Sequence, residues 1–250
     1  MMFENIKKIS WFGGSWVLGT ELEKTSIQGL AIDQDQFIKE NRFSYLVSKY
    51  FQCEENNLAE SGISSENITR TLVSHVKNSY IDATQELLIV IWPCPMRYFW
   101  IDHKGQEQDL RYNSNDWWFK QVDTLSFRNY SIQRTIWSLH NFCQSHSINY
   151  IMINGEAGIR PDQIEAPFDN DEINRYNWLT SSPHNMTEWL DFDITQGYPS
   201  LKERHKYFWP CESHPNLAGH AKIAREIIKH LEKLSITSMG ETNDNSYCME

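Results

Sequence analysis

Trp11-Phe-Gly-Gly-Ser-Trp-Val-Leu-Gly-Thr-Glu-Leu22 is the stretch that decides how the chain folds. Ile9-Ser-Trp-Phe12, which leads into it, is short, apolar and aromatic, as a buried strand of an α/β sheet is. Gly13-Gly14 permits a tight turn that side chains would obstruct. Ser15 then stands where a helix can begin. That places its hydroxyl at the carboxyl end of a strand, where open α/β sheets bind their ligands. Serine is also a favoured N-cap, because its oxygen accepts a hydrogen bond from the next turn, and on these residues alone capping is the simpler role.

Outward from there, Val17, Leu18 and Leu22 suit the buried side of a helix start, and residues 23–36 read as loop. Phe37, Ile38, Phe43, Leu46, Val47, Tyr50 and Phe51 recur at three- and four-residue spacing, which predicts one amphipathic helix ending near Gln52. Glu54 to Gly62 reads as a turn, a short strand and a glycine turn. Ser64-Ser-Glu-Asn67 offers N-caps for a helix carrying Ile68, Leu72, Val73 and Val76. Leu87 to Ile91 has no polar alternation, so it predicts a central strand covered on both faces. The prolines of Trp92-Pro-Cys-Pro95 cannot pair inside a sheet and start a loop, and residues 101–122 form a polar excursion. A helix from about Leu125 to His146 and a strand Tyr150–Asn154 follow. Residues 155–200 are rich in Asp, Asn, Pro and Ser and carry little periodicity. Pro215 to Leu234 predicts a final helix, with Ile223, Ile227 and Leu231 at four-residue steps. Strands alternating with helices predict an α/β domain with a mostly parallel sheet over 1–234, followed by a loose polar tail, 235–250.

Composition bounds the function. The chain has 250 residues, 40% hydrophobic and 13% aromatic, enough for a packed core. A formal net charge of −10 argues against nucleic-acid and anionic-membrane partners, which need a basic surface. The five cysteines are scattered without C-x-x-C spacing, as reduced thiols in the cytoplasm are. Met1 to Lys8 lacks the order of a signal peptide, and the longest apolar run, Leu87 to Pro93, is too short to cross a bilayer. A soluble, cytoplasmic protein is expected.

A second stretch, Cys211-Glu-Ser-His-Pro-Asn-Leu-Ala-Gly-His220, lies in the loop and first turn before the last helix. A histidine held at such a junction by the following proline can point back over the sheet's carboxyl edge, towards Ser15. A serine hydroxyl is a poor nucleophile until a neighbouring base takes its proton, and histidine is the usual base near neutral pH. A lone His214 with no chemical role is the plainer alternative, and His220 reads as a packing or hydrogen-bonding residue of the helix.

Three stretches in order, Gly13-x-Ser-x-x-x-Gly-x-Glu-Leu22, Asn57-Leu-Ala-x-Ser-Gly62 and His214-Pro-Asn-x-x-Gly-His220, resemble the SGNH (GDSL-type) hydrolases, over roughly residues 9–232. The resemblance implies a flavodoxin-like, three-layer α/β/α fold with a five-stranded, mostly parallel sheet. It also implies an esterase or acyl- or acetyl-ester hydrolase acting on small-molecule esters through an acyl-serine intermediate, with no metal or cofactor. By motif position Ser15 would be the nucleophile and His214 the base, with the N–H groups of Ser15 and Gly62 in the oxyanion hole.

The chain departs from the family pattern at three places. Gly14 replaces the Asp of Gly-Asp-Ser, which touches turn geometry rather than chemistry. Trp92-Pro-Cys-Pro95 stands where Gly-x-Asn-Asp is expected, so the oxyanion-hole asparagine is missing. This looks like a divergent branch with a Trp-Thr-x-Pro-x-Arg segment, matched by Trp92, Pro95 and Arg97. Arg97 could line the pocket for an anionic substrate or be a surface arginine. Trp92 and Trp16 are candidate substrate contacts, and such aromatics suit an acylated sugar or an apolar acyl group as well as a core. The acid usually lies two or three residues before the histidine, where Glu212 and Cys211 stand, and Glu212 could orient the imidazole. Two other readings stay open: a binding or structural module that has kept the fold without catalysis, and a zinc site from Cys211, His214 and His220, which lacks a second close ligand pair.

Overall fold

The computed structural model describes residues 5–22, 33–79, 84–93, 97–101, 107–111, 125–155, 177–178, 186–190, 206–207 and 214–240. Its elements in order are β1 (Lys8–Phe12), α1 (Ser15–Leu18), α2 (Gln34–Asn41), α3 (Phe43–Tyr50), β2 (Glu54–Asn57), α4 (Ser65–Asn78), β3 (Glu86–Trp92), β4 (Arg97–Ile101), β5 (Glu107–Arg111), α5 (Leu125–Ser145), β6 (Asn149–Asn154), β7 (Asn177–Trp178), α6 (Met186–Trp189) and α7 (Leu217–Gly240).

The main sheet is parallel, in the order β2-β1-β3-β6, and the two-residue β7 pairs on the outer side of β6. Numbered among themselves these strands run 2-1-3-4-5, the flavodoxin-like order, so the chain reverses direction across the sheet between β1 and β3. Every residue of β3 is buried, as its unbroken apolar run requires of a central parallel strand.

Alternation along the strands builds one core on each face. Trp11, Ile89, Ile91, Ile151 and Ile153 meet Trp16 and Val17 of α1, Phe43 and Val47 of α3, and Ile223, Ile227 and Leu231 of α7. Phe12, Leu88, Val90, Trp92, Tyr150 and Met152 meet Ile68 and Leu72 of α4 and Ile132, Ile136 and Leu139 of α5. Helices on both faces of a parallel sheet make the three-layer α/β/α arrangement.

Four details differ from the sequence reading. The helix expected over 37–52 is two helices, broken at Arg42, whose backbone is extended (φ −75°, ψ 146°). The Arg42 guanidinium grips both oxygens of Glu55, at 2.9 and 2.8 Å, and so ties the break to β2. The strand near residue 54 comes first rather than after a turn. It is the polar Glu54-Glu-Asn-Asn57 at a sheet edge, where Glu55 faces the Arg42 break and Asn57 reaches a carbonyl of α1. After the prolines, Arg97–Ile101 and Glu107–Arg111 form a separate antiparallel pair, in keeping with the β-propensity of Arg-Tyr-Phe-Trp-Ile. The last helix runs to Gly240, past the expected end at Leu234. No helix among the described residues is long and apolar enough to cross a membrane.

Candidate active site

Ser15 enters at the switch point. β1 ends at Phe12, and Gly13 passes so close to its neighbours that a Cβ there would lie 2.5 Å from Val17 Cγ2 and 3.1 Å from the Ile91 carbonyl oxygen. Ser15 is the first residue of α1, and Gly14 takes the N-cap position without a side-chain bond. The capping role open to Ser15 in the sequence is therefore not the one it has. Its hydroxyl instead meets His214, with Nε2 2.9 Å from Oγ.

The histidine motif is built to deliver that ring. Asn216 caps α7 through Oδ1, which accepts from Gly219 N–H at 3.0 Å, while its own N–H donates to the Tyr207 carbonyl at 2.8 Å. Gly219 then passes under the same carbonyl: a Cβ there would lie 2.3 Å from Tyr207 O and 2.9 Å from Pro215 Cβ. Only glycine permits this approach, and it fixes the junction that carries His214. His220, in the first turn of α7, is the packing residue that the sequence allowed, and its hydrogen bond goes to another helix rather than within its own. Its Nδ1 accepts the Phe43 N–H at 3.2 Å, capping α3, and its ring stacks on Phe43 with centroids 5.6 Å apart. Burial, then the nearby charges of His214 and Arg42, push its pKa down to about 3, so it stays neutral.

The second motif runs beside the first. Leu58 N–H donates to Trp11 O and Glu60 N–H to Gly13 O, which carries the β2 segment past the sheet edge and along the serine turn. Asn57 Nδ2 donates to the Val17 carbonyl at 2.9 Å and to Ser44 Oγ at 3.1 Å, and its Oδ1 accepts from Ala59 N–H at 3.0 Å. Ser44 in turn donates to Glu55 at 2.6 Å, so one polar network spans α1, α3 and β2. Gly62 lies in the turn that follows, at φ 82°, a left-handed conformation that side chains resist.

Sequence reasoning passed over Glu21. Its Oε2 is 3.2 Å from His214 Nδ1, with the two side chains 16% and 20% exposed. The contact becomes an ion pair when the imidazole is protonated. Glu21 belongs to the quoted first motif, yet nothing in the motif says that the chain folds it back onto a histidine some two hundred positions away. Glu212 lies outside the described residues, as does Cys211 of the zinc reading. Among the described residues no three His, Cys, Asp or Glu side chains are grouped to hold a metal ion.

Trp16 and Trp92 take the packing alternative. Trp16 is 5% exposed in one core and Trp92 fully buried in the other, so neither ring offers the stacking surface that suggested a sugar. Trp92 Nε1 is buried there without a hydrogen-bond partner among the described residues. Arg97 opens β4, opposite Arg111, and its side chain lies outside the described residues.

Chemically, the Ser15 hydroxyl and the His214 imidazole form a pair that can pass a proton, beside a carboxylate that can hold the imidazolium. No family model matches the chain, and no curated protein does. Solved structures that it is similar to include GDSL lipolytic proteins and carbohydrate esterases. A carbohydrate esterase whose active site displays divergent catalytic and non-catalytic binding functions is 13% identical, with a TM-score of 0.47. The match covers 91% of this chain and 65% of that one, so the chain spans just under two thirds of its length. An acetyl xylan esterase from the rumen bacterium Butyrivibrio proteoclasticus is 12% identical, with a TM-score of 0.49 over 91% of this chain and 64% of that one. A member of the lipolytic protein G-D-S-L family from Veillonella parvula is 13% identical, with a TM-score of 0.47 over 91% of this chain and 100% of that one.

Proposed function

We propose that the protein is an SGNH-type serine esterase that hydrolyses small-molecule carboxylic esters through an acyl-serine intermediate. The observation that carries this reading is the 2.9 Å contact between Ser15 Oγ and His214 Nε2, made at the carboxyl edge of a parallel sheet, at its switch point.

The protons follow from that contact. For Nε2 to accept from the hydroxyl, the neutral ring carries its hydrogen on Nδ1. Oγ attacks the ester carbonyl carbon and its proton passes to Nε2, giving a tetrahedral oxyanion and an imidazolium. The oxyanion is held by the Ser15 N–H, which has no acceptor within the helix because it is in the first turn, and by the Gly62 N–H. A donor of this kind contributes about 3 kcal/mol to the transition state. Collapse breaks the bond to the alcohol oxygen, which leaves with the proton from Nε2. Water then attacks the acyl-serine with His214 again as base, releasing the acid and restoring the serine. The sum is one ester and one water consumed, one acid and one alcohol formed.

Hydrolysis of short-chain p-nitrophenyl esters by the protein and by Ser15→Ala tests this. Turnover that disappears in the variant supports the esterase. Absence of turnover in both favours a binding module on a hydrolase fold.

A further inference from the structure

We propose that Glu21, from the segment that also carries Ser15, is the residue that orients and charges His214 for catalysis, in place of an acid from the loop before α7. The inference rests on the Ser15–His214 reading and adds to it a positioning residue from the first motif rather than from the loop before the histidine.

Several observations converge on this residue. The hydroxyl contact at Nε2 leaves the proton on Nδ1, and Glu21 Oε2 lies 3.2 Å from that nitrogen. Both side chains are largely shielded from water, where an opposite charge acts more strongly than at the surface. The backbone is shaped to bring them together. α1 stops after four residues because Gly19 adopts φ 83°, and the N–H groups of Gly19 and Thr20 both close on the Ser15 carbonyl at 3.0 Å. Had the helix continued, Glu21 would stand about 9 Å further along the axis from Ser15 and on another side of it. Instead the chain doubles back, Leu22 is fully buried as an anchor, and Glu21 is held at φ 77°. A non-glycine residue resists that conformation, and such strain persists where the surroundings over-determine it. A contact of 3.2 Å is of the kind that tightens when substrate binds and the ring takes up charge. His220, which feels the charge of His214, stays neutral down to about pH 3, so in the working range it adds no charge beside the ring.

The experiment compares kcat and KM for a p-nitrophenyl ester in the parent, Glu21→Gln, Glu21→Asp and Glu212→Gln across the pH range in which imidazole titrates, with thermal unfolding of each. Glu21→Gln is expected to lower kcat about 10³- to 10⁴-fold with little change in KM, the scale seen when a triad acid is neutralised. It should also move the acidic limb of kcat/KM to lower pH, because an imidazolium without its carboxylate gives up its proton more readily. Glu21→Asp should recover part of the loss, and Glu212→Gln should lose less than Glu21→Gln. Overturning results are Glu21→Gln within about tenfold of the parent with an unmoved limb, or the larger loss in Glu212→Gln. If Glu21→Gln does not fold, the low-field Nδ1 proton resonance of His214 in the parent decides: its absence overturns the proposal, and its shift in Glu21→Asp supports it. Activity that persists in Ser15→Ala would instead bring down the Ser15–His214 reading itself.

Discussion

His214 Nε2 and Ser15 Oγ stand 2.9 Å apart although 199 positions separate them in the sequence. Neither residue reaches the other by its own flexibility. The Gly13-Gly14 turn fixes the serine at the end of β1, and Asn216, Gly219 and the Tyr207 carbonyl fix the histidine at the start of α7. Substitutions in either scaffold should therefore alter catalysis without touching a reacting atom.

Gly219→Ala is the sharpest case. The new Cβ would meet the Tyr207 carbonyl at 2.3 Å, and a backbone oxygen cannot swing aside as a side chain can. The Asn216–Tyr207 bond should break and the His214 junction shift. The expected result is a destabilisation of about 1–3 kcal/mol and a fall in kcat of about 10²-fold, since a displacement of about 1 Å costs that much. Thermal unfolding and steady-state kinetics check it, and parent-like values in both would contradict it.

Asn57→Ala removes the side chain that joins the Val17 carbonyl, Ser44 and the Ala59 N–H. The buried partners lose their bonds, at a cost of about 1–3 kcal/mol. Because Val17 belongs to α1, kcat should fall more than KM rises. Urea unfolding read beside kinetics separates the two effects, and an unchanged unfolding midpoint would contradict the network.

Much of this architecture was readable in the residues. The unbroken apolar run of β3, the strand–glycine–serine order of the first motif, and the four-residue steps of Ile223, Ile227 and Leu231 each carry their own physical signature, and the structure places all of them as expected. What periodicity could not supply was long-range. Arg42 breaks a helix pattern that looks continuous because of its pairing with Glu55, thirteen positions on. Glu54-Glu-Asn-Asn57 is a strand by virtue of the neighbour that it pairs with, not its own propensity. Trp16 and Trp92 looked the same from the sequence whether in a pocket or a core, and in the structure both rings are buried. Glu21 became a candidate only through a left-handed backbone that no residue pattern announces.

At the far end of the sheet from Ser15, Glu86 sits in a polar cluster with Ser10, His75 and Lys8. Burial opposes its ionisation, but hydrogen bonds from His75 and Ser10, with the charges of His75 and Lys8, outweigh that and hold its pKa below the ordinary 4.5. A depressed carboxyl contributes stability above its unfolded pKa and loses it as pH falls through the folded value. Glu86→Gln should therefore be less stable than the parent at neutral pH, by about 2 kcal/mol on the scale of hydrogen bonds to a charged group. The gap should close as pH falls below 4.5. Denaturant midpoints against pH test this, and a gap independent of pH would contradict it.

His220 gives the complementary signature. The unfolded ring takes up a proton below about 6.5, while the folded ring refuses it down to about 3. Its share of stability is complete above 6.5 and falls steadily through that window, by up to about 1.4 kcal/mol per pH unit. His220→Asn keeps an acceptor for the Phe43 N–H but cannot titrate, so its stability should vary less between those pH values. Equal slopes in parent and variant would contradict the assignment.

The most direct test of the central claim is covalent. The protein is treated with a fluorophosphonate and the modified residue is located by peptide mass spectrometry, in the parent, Ser15→Ala and His214→Ala. An activated Ser15 predicts one phosphonyl adduct, on Ser15, absent from Ser15→Ala and formed far more slowly in His214→Ala. A parent that stays unlabelled, or carries its adduct on another residue, would contradict it.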